Sequence, residues 1–258
     1  MKNEWEYGEK LLDLFREQVR GISSDSSLEK EILSSFGMEE EKIEAFWKKK
    51  ENILEVLKEE EEVYFQKDPS IQDKREVAMM IPGFFAVMAH RFAYALSQLE
   101  VPLLPRLLAE IAHQKTGIDI HPRTFIGRRF FLDHGTGVVI GETAEIHDDV
   151  SIYQNVTLGA KSLKKGRNLV GKKRHPTIES GTTIYAGASI LGGDVSIGER
   201  STIGAGVTVV SSVEAETYLY FACEKDETNQ CLEDCIYRPI LVKYKKLRRA
   251  HHERRKKE

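Results

Sequence analysis

From Ile120 to Val209 an aliphatic residue recurs at nearly every sixth position: at 120, 126 and 132, then 140, 146, 152 and 158, then 178, 184 and 190, and finally 197, 203 and 209. A period of six fits neither the repeat of an amphipathic helix nor the alternation of a half-buried strand. It predicts stacked coils of a parallel β-helix, each six-residue unit making one short strand and one tight corner with its aliphatic residue inside. Segments such as Ile146-His147-Asp148-Asp149-Val150-Ser151 and Ile152-Tyr153-Gln154-Asn155-Val156-Thr157 share an apolar first position, a small or β-branched fifth, and Ser or Thr sixth. Three irregularities interrupt the rhythm: the interval from Leu132 to Ile140, the span from Gly159 to Thr177, and one extra residue around Leu191-Gly192-Gly193-Asp194. Each must bulge or leave the coil.

The first third has a different pattern. Trp5 to Val19 and Leu28 to Leu57 place apolar residues at three- and four-residue intervals among many Glu and Lys, which predicts solvent-facing amphipathic helices ending before Pro69. A more apolar stretch from Val77 to Leu99 predicts a more deeply buried helix, and Pro102 and Pro105 separate it from another at Arg106 to Gln114. Gly117 stands where a helix C-cap is expected. The fold class that follows is α + β: an α-helical region over 1–117, a β-helix over 118–212 with an excursion loop at 159–177, and an extension over 213–258, partly helical or disordered.

Composition narrows the function classes. The 258 residues carry a net charge of -3, which hides an acidic run at Glu59 to Glu62 and a basic end from Lys243 to Lys257. A basic end on a slightly acidic chain is a poor nucleic-acid signature, so no nucleic-acid partner is expected. The start, MKNEWEYGEK, lacks the apolar core of a secretory signal, and no apolar run reaches a membrane-spanning length. A cytoplasmic protein with no membrane partner is the expectation. Cys223, Cys231 and Cys235 are odd in number and close together, which suits free thiols. The excursion concentrates Lys161, Lys164, Lys165, Arg167, Lys172, Lys173 and Arg174 with no acidic residue, a composition that suits an anionic partner or a solvated loop.

His134 is the histidine whose setting points to chemistry. It lies in the first irregularity between Asp133 and Gly135-Thr136-Gly137, where backbone freedom lets an imidazole project outward. Asp119 precedes it by nearly one coil, and an Asp beside a His fixes its tautomer and stabilises the imidazolium. No Gly-x-Ser-x-Gly elbow accompanies the pair. A general base without its own nucleophile suits deprotonation of a substrate hydroxyl that then attacks an acyl donor directly. His121, His134 and His147 are evenly spaced, but thirteen residues do not match a coil of eighteen, so a shared metal is not expected.

The motifs Asp68-Pro69, Pro82-Gly83-Phe84, Gly117-Ile118-Asp119-Ile120-His121-Pro122, Leu132-Asp133-His134-Gly135-Thr136-Gly137, Gly141-Glu142-Thr143, Val156-Thr157-Leu158-Gly159 and Lys173-Arg174-His175-Pro176 together resemble the serine acetyltransferases of the hexapeptide-repeat acyltransferase group. The resemblance covers about Asp68 to Val209 and implies a left-handed parallel β-helix, trimers with active sites between neighbouring subunits, and pairing of trimers into hexamers through the helical domain. It implies His134 as general base and Asp119 as its orienting carboxylate, in transfer of acetyl from acetyl-CoA to the L-serine hydroxyl. Asp68 and Asp133 match residues holding the serine ammonium, Arg174 the one binding its carboxylate, and His175 a second substrate contact. Gly159, Ala160, Ala186 and Ala205 match positions along the coil edge that contact acetyl-CoA, a co-substrate; no tightly bound cofactor and no metal are implied. Cysteine competing at the serine site is a property many members share.

The chain departs from the family pattern after the last coil, where Ser211-Ser212-Val213-Glu214-Ala215-Glu216 has no proline and leads to the cysteine-containing segment. Members that assemble with O-acetylserine sulfhydrylase usually end in isoleucine, whereas this chain ends in Lys-Lys-Glu, so that complex is not expected in its usual form. Two other readings compete: acetylation of a sugar or homoserine hydroxyl, and a non-catalytic scaffold. Asp68, Asp133 and Arg174 match both charges of a zwitterionic amino acid, which a sugar does not need.

Overall fold

The computed structural model describes residues 2–222 and 240–245. Six helices come first: α1 (Lys2–Val19), α2 (Ser26–Ser35), α3 (Glu40–Lys67), α4 (Arg75–Met80), α5 (Pro82–Gln98) and α6 (Leu104–Thr116). Their core is aromatic and aliphatic; Phe15 stacks on Phe92 at 3.9 Å between ring centroids, with Phe46 tilted against both. Gly117 caps α6 in the left-handed conformation and donates its N–H to the His113 carbonyl, as the sequence predicts.

Two helical stretches read as continuous are each broken in two. Leu28 to Leu57 is divided between α2 and α3 because Gly37, at φ 77°, leads the chain out of α2 while Met38 N–H returns to the Leu33 carbonyl. Val77 to Leu99 is divided between α4 and α5 because Ile81, preceding Pro82, is held extended at ψ 113°. Across the second break the chain stays apolar from Val77 to Ile81 and again at Phe84, so periodicity alone could not reveal it, whereas at the first the spacing lapses between Met38 and Ile43.

Strands follow from Asp119: β1 (Asp119–Ile120), β2 (Phe125–Ile126), β3 (Phe131–Leu132), β4 (Val139–Ile140), β5 (Glu145–Ile146), β6 (Ser151–Ile152) and β7 (Thr157–Gly159). After the excursion come β8 (Thr177–Ile178), β9 (Thr183–Ile184), β10 (Ser189–Leu191), β11 (Ser196–Ile197), β12 (Thr202–Ile203), β13 (Thr208–Val209), β14 (Thr217–Ala222) and β15 (Ile240–Lys245). Every third strand pairs in parallel, giving three faces: β1-β4-β7-β10-β13, then β2-β5-β8-β11, then β3-β6-β9-β12-β14 with β15 antiparallel at the edge. This is the parallel β-helix that the six-residue period predicts, with the left hand that the family resemblance implies. All thirteen aliphatic anchors from Ile120 to Val209 are buried, at most 5% exposed.

The three irregularities appear in the register. Asp119 pairs with Val139, two residues beyond an eighteen-residue coil; Thr157 pairs with Ser189 across the excursion; Ser189 pairs with Thr208, one residue beyond a coil. The second and third are one feature. Lys161, at the start of the excursion, pairs with Asp194 at 2.9 Å, and the returning Lys173 carbonyl lies 2.5 Å from where a Cβ on Gly193 would stand. The extra residue seats both ends of the loop.

The extension differs from its expectation of helix or disorder at 217–222 and 240–245, which form β14 and β15. Thr-Tyr-Leu-Tyr-Phe-Ala and Ile-Leu-Val-Lys-Tyr-Lys are aromatic and β-branched, and β14 finds the open edge of β12 to pair with. Cys223, Cys231, Cys235 and the terminal Lys-Lys-Glu, with the reading of the sulfhydrylase complex, lie outside the described residues.

The helices close the first coil, whose strands would otherwise expose unpaired backbone groups. On β3 the buried Tyr64 hydroxyl accepts from the Leu132 N–H at 3.0 Å and donates to the Leu132 carbonyl at 3.2 Å. On β2, Arg91, ion-paired to the buried Glu60, donates to the Ile126 and Gly127 carbonyls. No described helix is long and apolar enough to cross a membrane.

Candidate active site

The three faces meet at three corners, and the candidate residues divide between two of them. The first corner joins the β3 face to the β1 face. There Asp133, His134 and Gly135 make a three-residue turn closed by the Gly135 N–H on the Asp133 carbonyl, with His134 at its apex at φ 53°. Left-handed backbone is uncommon outside glycine and directs the side chain away from the coil. The imidazole is 74% exposed, with Nε2 4.0 Å from Asp133 Oδ1. Gly135 is required, since a Cβ there would fall 2.6 Å from Ile118 Cδ1.

The Asp119 N–H donates to the Val138 carbonyl and the Gly137 N–H to the Gly117 carbonyl, so the end of the bulge is fastened beside Asp119. Among the described residues, however, no hydrogen bond or ion pair joins the Asp119 and His134 side chains, and the carboxylate nearest the imidazole is that of Asp133. Sequence spacing could place the backbones together but not choose the His134 rotamer. Asp68 caps the end of α3, four residues beyond Tyr64, and its Oδ1 accepts from the Ser70 N–H and hydroxyl. Because Tyr64 holds Leu132, the chain leads to Asp68 on one side and Asp133 on the other from a single buried contact.

The second corner joins the β1 face to the β2 face. Here the excursion returns, and the Thr143 hydroxyl accepts from the backbone N–H groups of Arg174 and His175 at 2.9 and 3.1 Å. The Arg174 guanidinium is paired through Nη2 with Glu142, while its Nη1 is buried without a partner. His175 is 7% exposed and lies against Gly141, where a Cβ would fall 2.1 Å from Nε2. Burial, with Arg174 beside it, lowers His175 to about 4. The Thr143 N–H donates to His175 Nδ1 at 3.1 Å, so the neutral ring carries its proton on Nε2. Glu142 and Thr143 were legible as a motif but had no role in the sequence reading; Tyr64 carried no signal at all.

The four residues assigned to acetyl-CoA are also divided. Ala186 and Ala205 lie at the first corner, in a column of backbone hydrogen bonds running from Thr136 to Asn155, from Gln154 to Gly187 and from Ala186 to Gly206, each 2.9 Å. Gly159 and Ala160 lie at the second corner, where the excursion begins. They do not form one edge within a chain. His121, His134 and His147 fall at three different corners, following β1, β3 and β5, so their even spacing brings no ligand set together. In the excursion Lys161 and Lys173 are paired, whereas Lys164, Lys165, Arg167 and Lys172 make no ion pair among the described residues.

No protein-family model matches the chain. It is 50% identical over 155 residues to the plasmid serine acetyltransferase of Synechococcus elongatus, covering 59% of this chain and 48% of that one, so it spans about half the length of that relative. It is 45% identical over 158 residues to serine acetyltransferase of Bacillus subtilis, covering 61% of this chain and 70% of that one. Among solved structures, it resembles serine acetyltransferase isoform 3 of Entamoeba histolytica in complex with cysteine, with TM-score 0.72, 31% identity, and coverage of 84% and 82%. It also resembles a serine acetyltransferase in complex with CoA, with TM-score 0.63, 27% identity, and coverage of 83% and 81%. With sequence identity of 45% over 70% of one relative and the same fold in the solved structures, this chain belongs to the serine acetyltransferase family.

Proposed function

We propose that the chain acetylates the hydroxyl of L-serine from acetyl-CoA by direct attack, with His134 as the general base. The observation that carries this is an exposed imidazole at the apex of a left-handed turn, with the Asp133 carboxylate beside it and no Ser or Cys nucleophile in its turn. As the serine oxygen attacks the thioester carbonyl, His134 accepts its proton; collapse of the tetrahedral intermediate expels the CoA thiolate, which takes that proton back. Asp133 and Asp68 receive the serine ammonium. Once Asp133 is so occupied, His134 is left to Asp119, which orients the ring and stabilises the imidazolium. Arg174 receives the serine carboxylate through its unpartnered Nη1, and neutral His175 offers Nε2–H as a donor.

His134 and Arg174 stand at opposite ends of the β1 face, so one chain carries two half-sites. We propose that a site is completed where the first corner of one copy meets the second corner of another, as in a cyclic trimer, with hexamers formed if trimers pair through their helices. The same junction reunites Ala186 and Ala205 with Gly159 and Ala160 around acetyl-CoA. The unpaired lysines of the excursion then supply positive charge for its phosphates. Cysteine, sharing the charges of serine, would compete at this site.

The test is thiol release from acetyl-CoA with L-serine, homoserine, threonine or sugars as acceptor. Serine should be preferred, and His134→Ala should lower turnover by about 100-fold or more. His134→Ala, impaired in turnover, and Arg174→Ala, impaired in serine binding, should regain a fraction of activity when co-assembled. Full activity of His134→Ala would sink the mechanism, and absence of complementation would sink the shared site.

A further inference from the structure

Away from both equipped corners, a cleft of about 220 Å³ lies between α3 and α5 and reaches Ile126 of β2. Helical spacing sets its two sides: Lys49, Asn52, Ile53 and Val56 fall on one face of α3, and His90, Tyr94 and Gln98 on one face of α5. Its walls are apolar at Ile53, Val56 and Ala95, while Lys49, Asn52 and Gln98 are exposed and make its mouth polar. Arg91 also borders the cleft, but its guanidinium is engaged by the buried Glu60 and by the Ile126 and Gly127 carbonyls.

His90 is the unusual residue in this lining. It is 3% exposed, its ring is bonded to the Thr124 backbone, and its Nδ1 is buried with no partner among the described residues. Burial lowers its pKa to about 3, so the ring is neutral; with the Nε2 proton given to Thr124, Nδ1 presents a lone pair. A buried acceptor left without a donor is uncommon in a folded chain. At the mouth, Lys49 makes no hydrogen bond or ion pair among the described residues, although the next lysine, Lys50, is paired with Glu29. The cleft therefore offers an acceptor at its buried end and a cation at its open end.

We propose that this cleft binds a small single-ring acid: an O–H or N–H on the ring donates to His90 Nδ1, the ring lies between Ile53, Val56 and Ala95, and the carboxylate meets the Lys49 ammonium at the mouth. Three features select that class together. The lone pair requires a donor, the apolar walls require a ring, and the unpaired ammonium favours an anion. Pockets for drug-sized ligands hold roughly 300–1,000 Å³, so this cleft is too small for a nucleotide or a coenzyme. Serine and cysteine are too polar for its walls. The site is separate from both corners and does not depend on the acetyl transfer proposed above. Because Glu60 and Tyr64 of α3 and Arg91 of α5 tie these helices to the first coil, a ligand held between them stabilises the joined arrangement.

The test is equilibrium titration of the full chain with para-hydroxyphenylacetate, with phenylacetate, which lacks the donor, and with tyrosol, which lacks the charge. Para-hydroxyphenylacetate should bind about tenfold more tightly than phenylacetate, the order expected when a buried acceptor gains its donor, and should raise the thermal midpoint. It should exceed tyrosol by a few-fold, a preference that Lys49→Ala removes. Val56→Phe, which puts a larger side chain into the cleft, should abolish binding of all three, and His90→Phe should erase the preference for the phenol. If His90→Phe fails to fold, the three ligands on the wild-type protein, Lys49→Ala and Val56→Phe still decide. Equal affinity for para-hydroxyphenylacetate and phenylacetate, undiminished binding to Val56→Phe, or no binding of any of the three overturns the proposal. So does one-for-one displacement by L-serine or CoA, which would put the acid at the corners instead. Since no turnover is measured, a chain that binds the acid as described but transfers no acetyl group would uphold the cleft and sink only the reaction.

Discussion

One tyrosine hydroxyl satisfies both backbone groups of Leu132: Tyr64 accepts from its N–H at 3.0 Å and donates to its carbonyl at 3.2 Å. Leu132 lies on the outer edge of the first coil, and Asp133 and His134 follow it directly. Burial keeps the phenol well above its ordinary pKa, so it remains a donor as well as an acceptor. Tyr64→Phe leaves two buried backbone groups unpaired and should cost about 1–3 kcal/mol. Urea unfolding should show a lower midpoint, and turnover should fall with it as the His134 turn loosens. An unchanged midpoint would mean that water replaces the hydroxyl without loss.

Glu142 sets the orientation of Arg174 and should be felt in substrate affinity rather than in chemistry. Glu142 also lies 3.3 Å from Arg123 Nε, so its carboxylate gathers two guanidinium groups. Glu142→Gln should raise the serine Michaelis constant by about tenfold, of the order of one charge-assisted hydrogen bond, with kcat nearly preserved. A fall in kcat at unchanged Michaelis constant would place Glu142 in the proton-transfer machinery instead.

Gly141 should resist any side chain. A Cβ there collides with the His175 ring, which is held from its other side by Thr143. Gly141→Ala should therefore displace His175 and raise the serine Michaelis constant while leaving CoA binding intact in equilibrium titration. Wild-type serine kinetics in this variant would remove His175 from the serine site.

Stability should decline with acidity through a window set by buried histidines. Burial lowers His90 to about 3, with Arg91 reinforcing it, and lowers His121 and His175 to about 4, against 6.5 for an ordinary histidine. Between about pH 6.5 and 4 the unfolded chain takes up protons that the folded chain refuses, so the folded state loses stability as pH falls. Urea midpoints should drop across this window, and His90→Gln should flatten the drop if it folds. His175→Asn, at a less buried position, provides the same check. Equal midpoints at pH 7 and pH 4.5 would contradict the assignment.

The sequence by itself determined the coil. Ile120 through Val209 announce the six-residue repeat because each anchor is buried by the same local geometry, and local geometry repeats in sequence. It also determined where to look for chemistry, since a bulge at His134 and an excursion ending at Arg174 are visible as broken rhythm. Tertiary structure decided the rest. Tyr64 meets Leu132 across 68 residues, a contact that no periodicity encodes. The extra residue near Gly193 has meaning only once the returning Lys173 is seen resting on it. The rotamer of His134, turned toward Asp133 rather than Asp119, depends on side-chain torsions that spacing does not constrain. Corner assignment separated His134 from Arg174, because position around a coil depends on the summed lengths of every strand and bulge between them, and only the folded chain performs that sum.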